Sequence, residues 1–158
     1  MDFTRKARWV KDGHRTPNPT TPNFSGVVSR KSIRILLTHA AVHRVSVKAS
    51  YIRNAYLQAP TSEKHYIICG SEFGIENEGK RAVIVWDLYG GKSAGSDFWY
   101  HLRICMDHLG FELSKSDTDV WMKRSTRGDG ENPYYEYVLL YVDYCLVISD
   151  RNEYVIRS

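Results

Sequence analysis

Cysteine is scarce in this chain and gives it no covalent framework. Cys69, Cys105 and Cys145 are odd in number, widely spaced and without Cys-x-x-Cys spacing. Each sits in an apolar run, so reduced core thiols are expected rather than a disulfide scaffold. Long hydrophobic runs are missing too: no segment approaches the ~18 uninterrupted apolar residues of a membrane span. The first residues, Met-Asp-Phe-Thr-Arg-Lys, turn polar without a secretory apolar region, so an intracellular, reducing compartment and no membrane partner are expected. An excess of one charge sign is nearly absent, since a net charge of +4 permits a polyanionic partner without demanding one. No internal repeat, no second domain and no Gly-x-Ser-x-Gly nucleophile elbow is found.

What is present reads as one globular domain. A chain of 158 residues is long enough to bury a real core. Its 42% hydrophobic and 25% charged residues are the proportions of an ordinary folded protein, with aromatics somewhat rich at 13%.

Three of the five prolines fall in Asp12–Asn23, which must be an extended loop after a basic stretch carrying Trp9 and Val10 as a short strand. Ser29 is placed to cap a helix whose apolar face is Ile33, Leu36, Leu37, Ala40, Ala41 and Val45. Strands are expected over Val45–Ile52, His65–Cys69, Ala82–Trp86 and Val120–Lys123. A second helix is expected from Ser93 to Leu109, with Phe98, Leu102, Cys105, Met106 and Leu109 on its apolar face and Gly110 ending it. Residues 124–133 are turn material, and Asp150–Ser158 hold little that would form another layer.

The stretch Tyr137–Ser149 organises the rest. Two β-branched and aromatic runs flank a polar break at Asp143, the pattern of strand, tight turn and strand. Such a hairpin lifts one carboxylate out of a buried, stiff support. Helices interleaved with hairpin-connected strands make the fold class α+β, an antiparallel sheet with helices packed on one face.

Several segments, in order, resemble the reverse transcriptase domain of copia-type LTR retrotransposons. Lys6-Ala-Arg-Trp-Val is similar to the family's Lys-Ala-Arg-Leu-Val, and Gly13-His-Arg-Thr-Pro and Ser25-Gly-Val-Val-Ser-Arg30 follow. Ile52-Arg-Asn-Ala-Tyr-Leu-Gln-Ala-Pro60 resembles Asp-Ile-x-Asn-Ala-Tyr-Leu-x-Ala-Pro. Leu88-Tyr-Gly-Gly-Lys-Ser-Ala-Gly95 resembles Leu-Tyr-Gly-Leu-Lys-Gln-Ala, and Leu109-Gly-Phe and Asp117-Thr-Asp-Val-Trp also have counterparts. Tyr141-Val-Asp-Tyr144 stands against Tyr-Val-Asp-Asp. The resemblance implies the fingers and partial palm of a right-hand polymerase, within a single reverse-transcriptase-like domain over 1–158. About 1–50 and 61–90 would be fingers-like, and about 51–60 and 91–158 palm-like. Because the sequence ends just after the hairpin, the thumb and RNase H are expected to be absent.

The family's activity is RNA-directed DNA synthesis, with Mg²⁺ as cofactor and an RNA or DNA primer-template and deoxynucleotides as partners. Two cations ~3.5–4 Å apart carry the transfer, and Mg²⁺ asks for oxygen ligands in an octahedron. The three acids that the family supplies map onto Tyr51, Asp143 and Tyr144. A phenol, with a reference pKa of ~10, is a neutral and poor ligand. Asp143 is then the lone surviving metal position, Asp87 and Asp150 sit too far along their own elements to substitute, and no polymerase activity is expected.

Among substrate-binding positions, Tyr56 matches the aromatic steric gate, Lys6 and Arg8 the basic finger residues, and Ser93 replaces a template-contacting Gln. A packed aromatic is the competing reading for Tyr56, and a solvated basic strand for Lys6 and Arg8. A non-catalytic nucleic-acid-binding module or an interaction remnant is the alternative function.

Two other signals carry little. Gly91-Lys-Ser93 tempts a phosphate-loop reading, but the position that must hold the earlier glycine is Trp86. His39 and His43 share a helix face but lack the Glu and a third ligand of a zinc site.

Overall fold

A computed structural model describes residues 8–20, 23, 25–128, 130 and 132–157. In chain order the elements are α1 (Arg30–His43), β1 (Val47–Tyr51), β2 (Pro60–Ile68), β3 (Arg81–Trp86) and α2 (Ala94–His108). They are followed by β4 (Glu112–Leu113), β5 (Val120–Thr126), β6 (Pro133–Tyr141), β7 (Tyr144–Ile148) and α3 (Asn152–Arg157). Contacts divide the chain into two compact units, one of Met1–Ser25 with Asn54–His101 and one of Gly26–Arg53 with Leu102–Ser158. The chain is mixed helix and antiparallel sheet. Among the described residues, no helix is long and apolar enough to cross a membrane.

The second unit is built on a five-stranded antiparallel sheet in the order β1-β7-β6-β5-β4. Side chains alternate across it, so odd and even positions of β6 feed different cores. Leu139, Ile148 and Val120 pack with Leu36 and Ala40 of α1 on one face. Val138, Val147 and Trp121 pack with Met106 of α2, and with Val155 and Ile156 of α3, on the other. The expectation of helices on one face alone is therefore corrected. The apolar runs at the end of β6 (Tyr137–Tyr141) and along β7 are continuous rather than alternating, and strands of that kind require cover on both sides.

Helix α1 starts as its sequence dictates. Ser29 is extended (φ −71°, ψ 148°) and its Oγ accepts from the Ser32 N–H at 3.1 Å, satisfying one of the orphan donors of the first turn. Asp117 Oδ2 reinforces the cap by accepting from the Ser29 N–H at 3.1 Å and from the Ser32 hydroxyl. Burial works against the Asp117 carboxylate, yet the hydrogen bonds from Ser32, Ser29 and Asp119 outweigh it and hold the group below the usual carboxylate range. Arg44 closes the helix in the left-handed region (φ 53°). Its apolar face is narrower than expected. Leu36, Ala40 and Val45 are buried, while Leu37 and Ala41 are exposed, because those two lie a further 100° around the helix.

Other expectations shift. Gly110 ends α2 with φ 79°, as glycine after a helix does. Cys105 of that helix is exposed, not in the core, whereas Cys69 is buried and Cys145 is half-buried, its thiol pushed up by burial. The last residues do form an element, α3. The Ser149 Oγ accepts from the Arg151 N–H at 2.8 Å to start it, and Val155 and Ile156 give it something to bury.

The first unit carries a two-stranded antiparallel sheet, β2 with β3, whose register shifts between Pro60 and His65. The strand begins at Pro60 rather than at His65, and a first position tolerates proline's missing N–H. In place of the expected strand at Trp9–Val10 there is one parallel bridge, Val10 to Tyr89. There the chain crosses itself closely. A Cβ on Gly90, which has φ 84°, would sit 2.2 Å from the Lys11 carbonyl oxygen, so only glycine fits. Lys11 Nζ then reaches Glu63 at 3.2 Å, and Glu63 also meets His65 Nε2 at 2.6 Å.

Ile148 is fully buried where β7 lies between β1 and β6. Ile148→Ala is expected to cost about 2–5 kcal/mol in denaturant unfolding, while Val83→Ala, on an exposed strand position, stays within about 0.5 kcal/mol.

Candidate functional site

The β6–β7 hairpin turns through Val142 and Asp143, with Tyr141 and Tyr144 as the last paired residues. On its other edge β7 pairs with β1, which sets Tyr51 directly opposite Tyr144. The Ile52 N–H donates to the Asp143 carbonyl at 2.8 Å, tying the turn to the end of β1. Residues directly opposite in a sheet share a face. Tyr51, Tyr144 and Tyr141 therefore form a row across three strands at one end of the sheet. The rings of Tyr51 and Tyr144 lie 5.3 Å apart between centroids, tilted by 53°. Asp143 stands at the turn, half-buried.

Val142 holds φ at 58°, a left-handed conformation that a β-branched residue adopts only under strain of order 1–3 kcal/mol. The cross-strand pairs on both sides of β7 fix the turn and enforce it.

The side-chain oxygen donors at this end of the sheet are one carboxylate, of Asp143, and the three phenols of Tyr51, Tyr144 and Tyr141. Two phenol rings in contact fill space that two hydrated cations and their ligands would need, and neutral phenols offer little charge. These residues do not fit a pair of Mg²⁺ ions. Among the described residues, no cluster of three His, Cys, Asp or Glu suited to a metal occurs elsewhere. His39 and His43 stack on each other at 4.3 Å, and His39 also meets the Tyr137 ring. Burial, and then the neighbouring His43, lower the pKa of His39. Asp150 pairs with Arg127 at 3.6 Å.

The substrate-binding candidates Arg8, Tyr56 and Ser93 lie in the first unit, and Lys6 lies outside the described residues. Arg8 covers the Tyr89 ring at 4.4 Å, and Tyr56 meets Tyr89 and Phe98 edge-on at 5.3 and 5.9 Å. Arg8 and Tyr56 thus meet the same aromatic ring, Arg8 exposed and Tyr56 half-buried. Ser93 is fully buried and its Oγ has no hydrogen-bond partner. Lys92 donates to the Thr16 carbonyl at 2.8 Å and to Asn18 Oδ1 at 3.0 Å. With that lysine tied to the chain and Ser93 enclosed, the phosphate-loop reading has no physical support.

A feature with no counterpart in the linear pattern is Asp87, at the end of β3. It is 2% exposed, and its side chain hydrogen-bonds to those of Thr61 and Asp97. Asp97 Oδ2 accepts from both the Ser62 N–H and the Ser62 hydroxyl. Asp87 is the enclosed member of the pair, and its Oδ2 has no hydrogen-bond partner. Burial first, and the nearby Asp97 second, push its pKa from 3.8 up to about 7.

The folded chain therefore binds a proton at Asp87 more tightly than the unfolded chain does. Its stabilising contribution is full below about pH 4 and declines as the pH rises to about 7. Asp87→Asn is expected to flatten that decline, whose slope approaches ~1.4 kcal/mol per pH unit. Urea unfolding of both proteins at intervals from pH 4 to 8 measures it. Parallel curves for the two proteins contradict the assignment.

A family model described as reverse transcriptase (RNA-dependent DNA polymerase) matches residues 1–158. No curated protein and no solved structure matches the chain. The family implies a nucleic-acid template and primer, and nucleotides, as the partner class, and Mg²⁺ as the cofactor of the chemistry. A match over the whole length, on a chain of mixed helices and antiparallel sheets, leaves one conclusion: the chain belongs to the reverse transcriptase (RNA-dependent DNA polymerase) family.

Proposed function

We propose that this chain is a copia-type reverse transcriptase domain in which nucleotidyl transfer has been lost, the fingers-like and palm-like portions serving as a scaffold. The reading rests on one observation. Tyr51 and Tyr144 pair directly across β1 and β7, beside Asp143, with their rings in contact. The resemblance of Asn54-Ala-Tyr-Leu-Gln-Ala-Pro60 to the family's motif supports Tyr51 as the counterpart of the first acid, and that of Tyr141-Val-Asp-Tyr144 supports Tyr144 as the counterpart of the last. Their adjacency in space is what two former ligands of one ion pair require.

In this reading Asp143 is the remaining acid. A single carboxylate neutralises one charge of the four that two Mg²⁺ ions bring, and the rest would go unmatched in a partly buried site. Tyr56 and Arg8 keep their packing around Tyr89 without a nucleotide to orient.

The test compares the natural chain with Tyr51→Asp/Tyr144→Asp, following Mn²⁺ affinity by water-proton relaxation and primer extension with Mg²⁺ or Mn²⁺. The natural chain is expected to extend no primer. The double variant is expected to gain Mn²⁺ affinity roughly tenfold or more, since affinity follows the number of anionic oxygens. Metal-dependent extension by the natural chain, abolished in Asp143→Asn, contradicts the proposal.

A further inference from the structure

The row of tyrosines has a property that loss of metal binding does not explain. Tyr51, Tyr144 and Tyr141 are each about half exposed, at 48, 58 and 55%. Buried rings would simply add to the core, whereas these present aromatic surface from three adjacent strands on one side of the sheet. Behind the row lies an apolar notch of about 170 Å³, lined by Val28, Ile33, Ala49 and Leu139 together with Tyr141 and Tyr144. All these residues belong to the same compact unit. No charged side chain lines the notch, so neither a phosphate nor a cation is suited to it. A flat ring is: an apolar cavity of ~150 Å³ is enough to hold benzene.

We propose that this row and its notch are a metal-independent stacking site for an unpaired nucleobase of a single strand. The proposal rests on the family reading for its partner class, nucleic acid, and goes beyond it in assigning a site and a mode of contact. Every base has a π-face, so stacking on tyrosine tolerates any sequence, and it needs no ion. The net charge of +4 favours approach of a polyanionic strand. Substituting phenols for carboxylates changes the end of the sheet in the required direction. Two acids that repel a nucleic-acid backbone in the absence of metal are replaced by two neutral rings, next to a third that was already there.

The experiment measures binding of a fluorescein-labelled oligo(dT) and of an abasic strand of equal length by anisotropy, in EDTA, with a primer-template duplex as the third probe. The base-bearing strand is expected to bind more tightly than the abasic one. Tyr144→Leu and Tyr51→Leu are expected to weaken it roughly 5- to 100-fold, the range of a lost base–aromatic stack. Tyr144→Phe keeps the ring and is expected to keep the affinity. Because leucine preserves apolar bulk in the strand, and the phenylalanine variant controls for folding, each variant gives a usable result. Equal affinity for abasic and base-bearing strands overturns the stacking site. So does a Tyr144→Leu protein that binds oligo(dT) unchanged. If either occurs while the duplex still binds, the family reading of the partner survives alone, and no binding of any probe removes both. Self-association that Tyr144→Leu abolishes, without base-dependent binding, gives the surface to a second copy of the chain and overturns the proposal as well.

Discussion

Because β7 hydrogen-bonds to β6 on one side and to β1 on the other, a single register decides what stands at the end of the sheet. The pairing of Ile148 with Val47 and Tyr137, buried beneath α1, anchors that register several residues from the turn. A slip of one residue would exchange the two faces of the strand, sending Ile148 and Leu146 away from the core they fill. The core thus enforces the row of Tyr51, Tyr144 and Tyr141, just as in an intact polymerase it would enforce a cluster of carboxylates. Strain at Val142 is a by-product of the same constraint, since the turn must close between residues already held.

The same scaffold supports opposite chemistries depending on what side chains it converges. Carboxylates gathered at close range repel one another and are stable only with cations between them. Phenols gathered there attract weakly through ring contacts and need no ion. In the other unit Asp87 and Asp97 form a different acidic pair, in which burial first and the neighbouring Asp97 second raise the Asp87 pKa to about 7.

What could be read in the sequence was mostly local. Ser29 as a cap, Gly110 as a helix stop and the hairpin around Asp143 each depend on chemistry within a few residues. The pairing of Tyr51 with Tyr144 was accessible only through the order of motifs, because strand partners 93 residues apart leave no periodicity to detect. Cover on both faces of the sheet was missed, although the continuous apolar runs of β6 and β7 carried that signal. Cys105 was assigned to the core because its neighbours Leu102 and Met106 are apolar, yet helical geometry turns it outward. The raised pKa of Asp87 was illegible. It requires Asp97, Ser62 and Thr61 to meet, and those come from a helix and a strand that only the fold brings together.

The central claim is that Tyr51 and Tyr144 stand side by side at the Asp143 turn. A double-mutant cycle on unfolding free energy, using Tyr51→Leu, Tyr144→Leu and the pair, measures that contact directly. The account predicts a favourable coupling of about 0.5–1.5 kcal/mol, as for contacting aromatic rings. Strictly additive effects would mean that the two rings do not touch, and would contradict it.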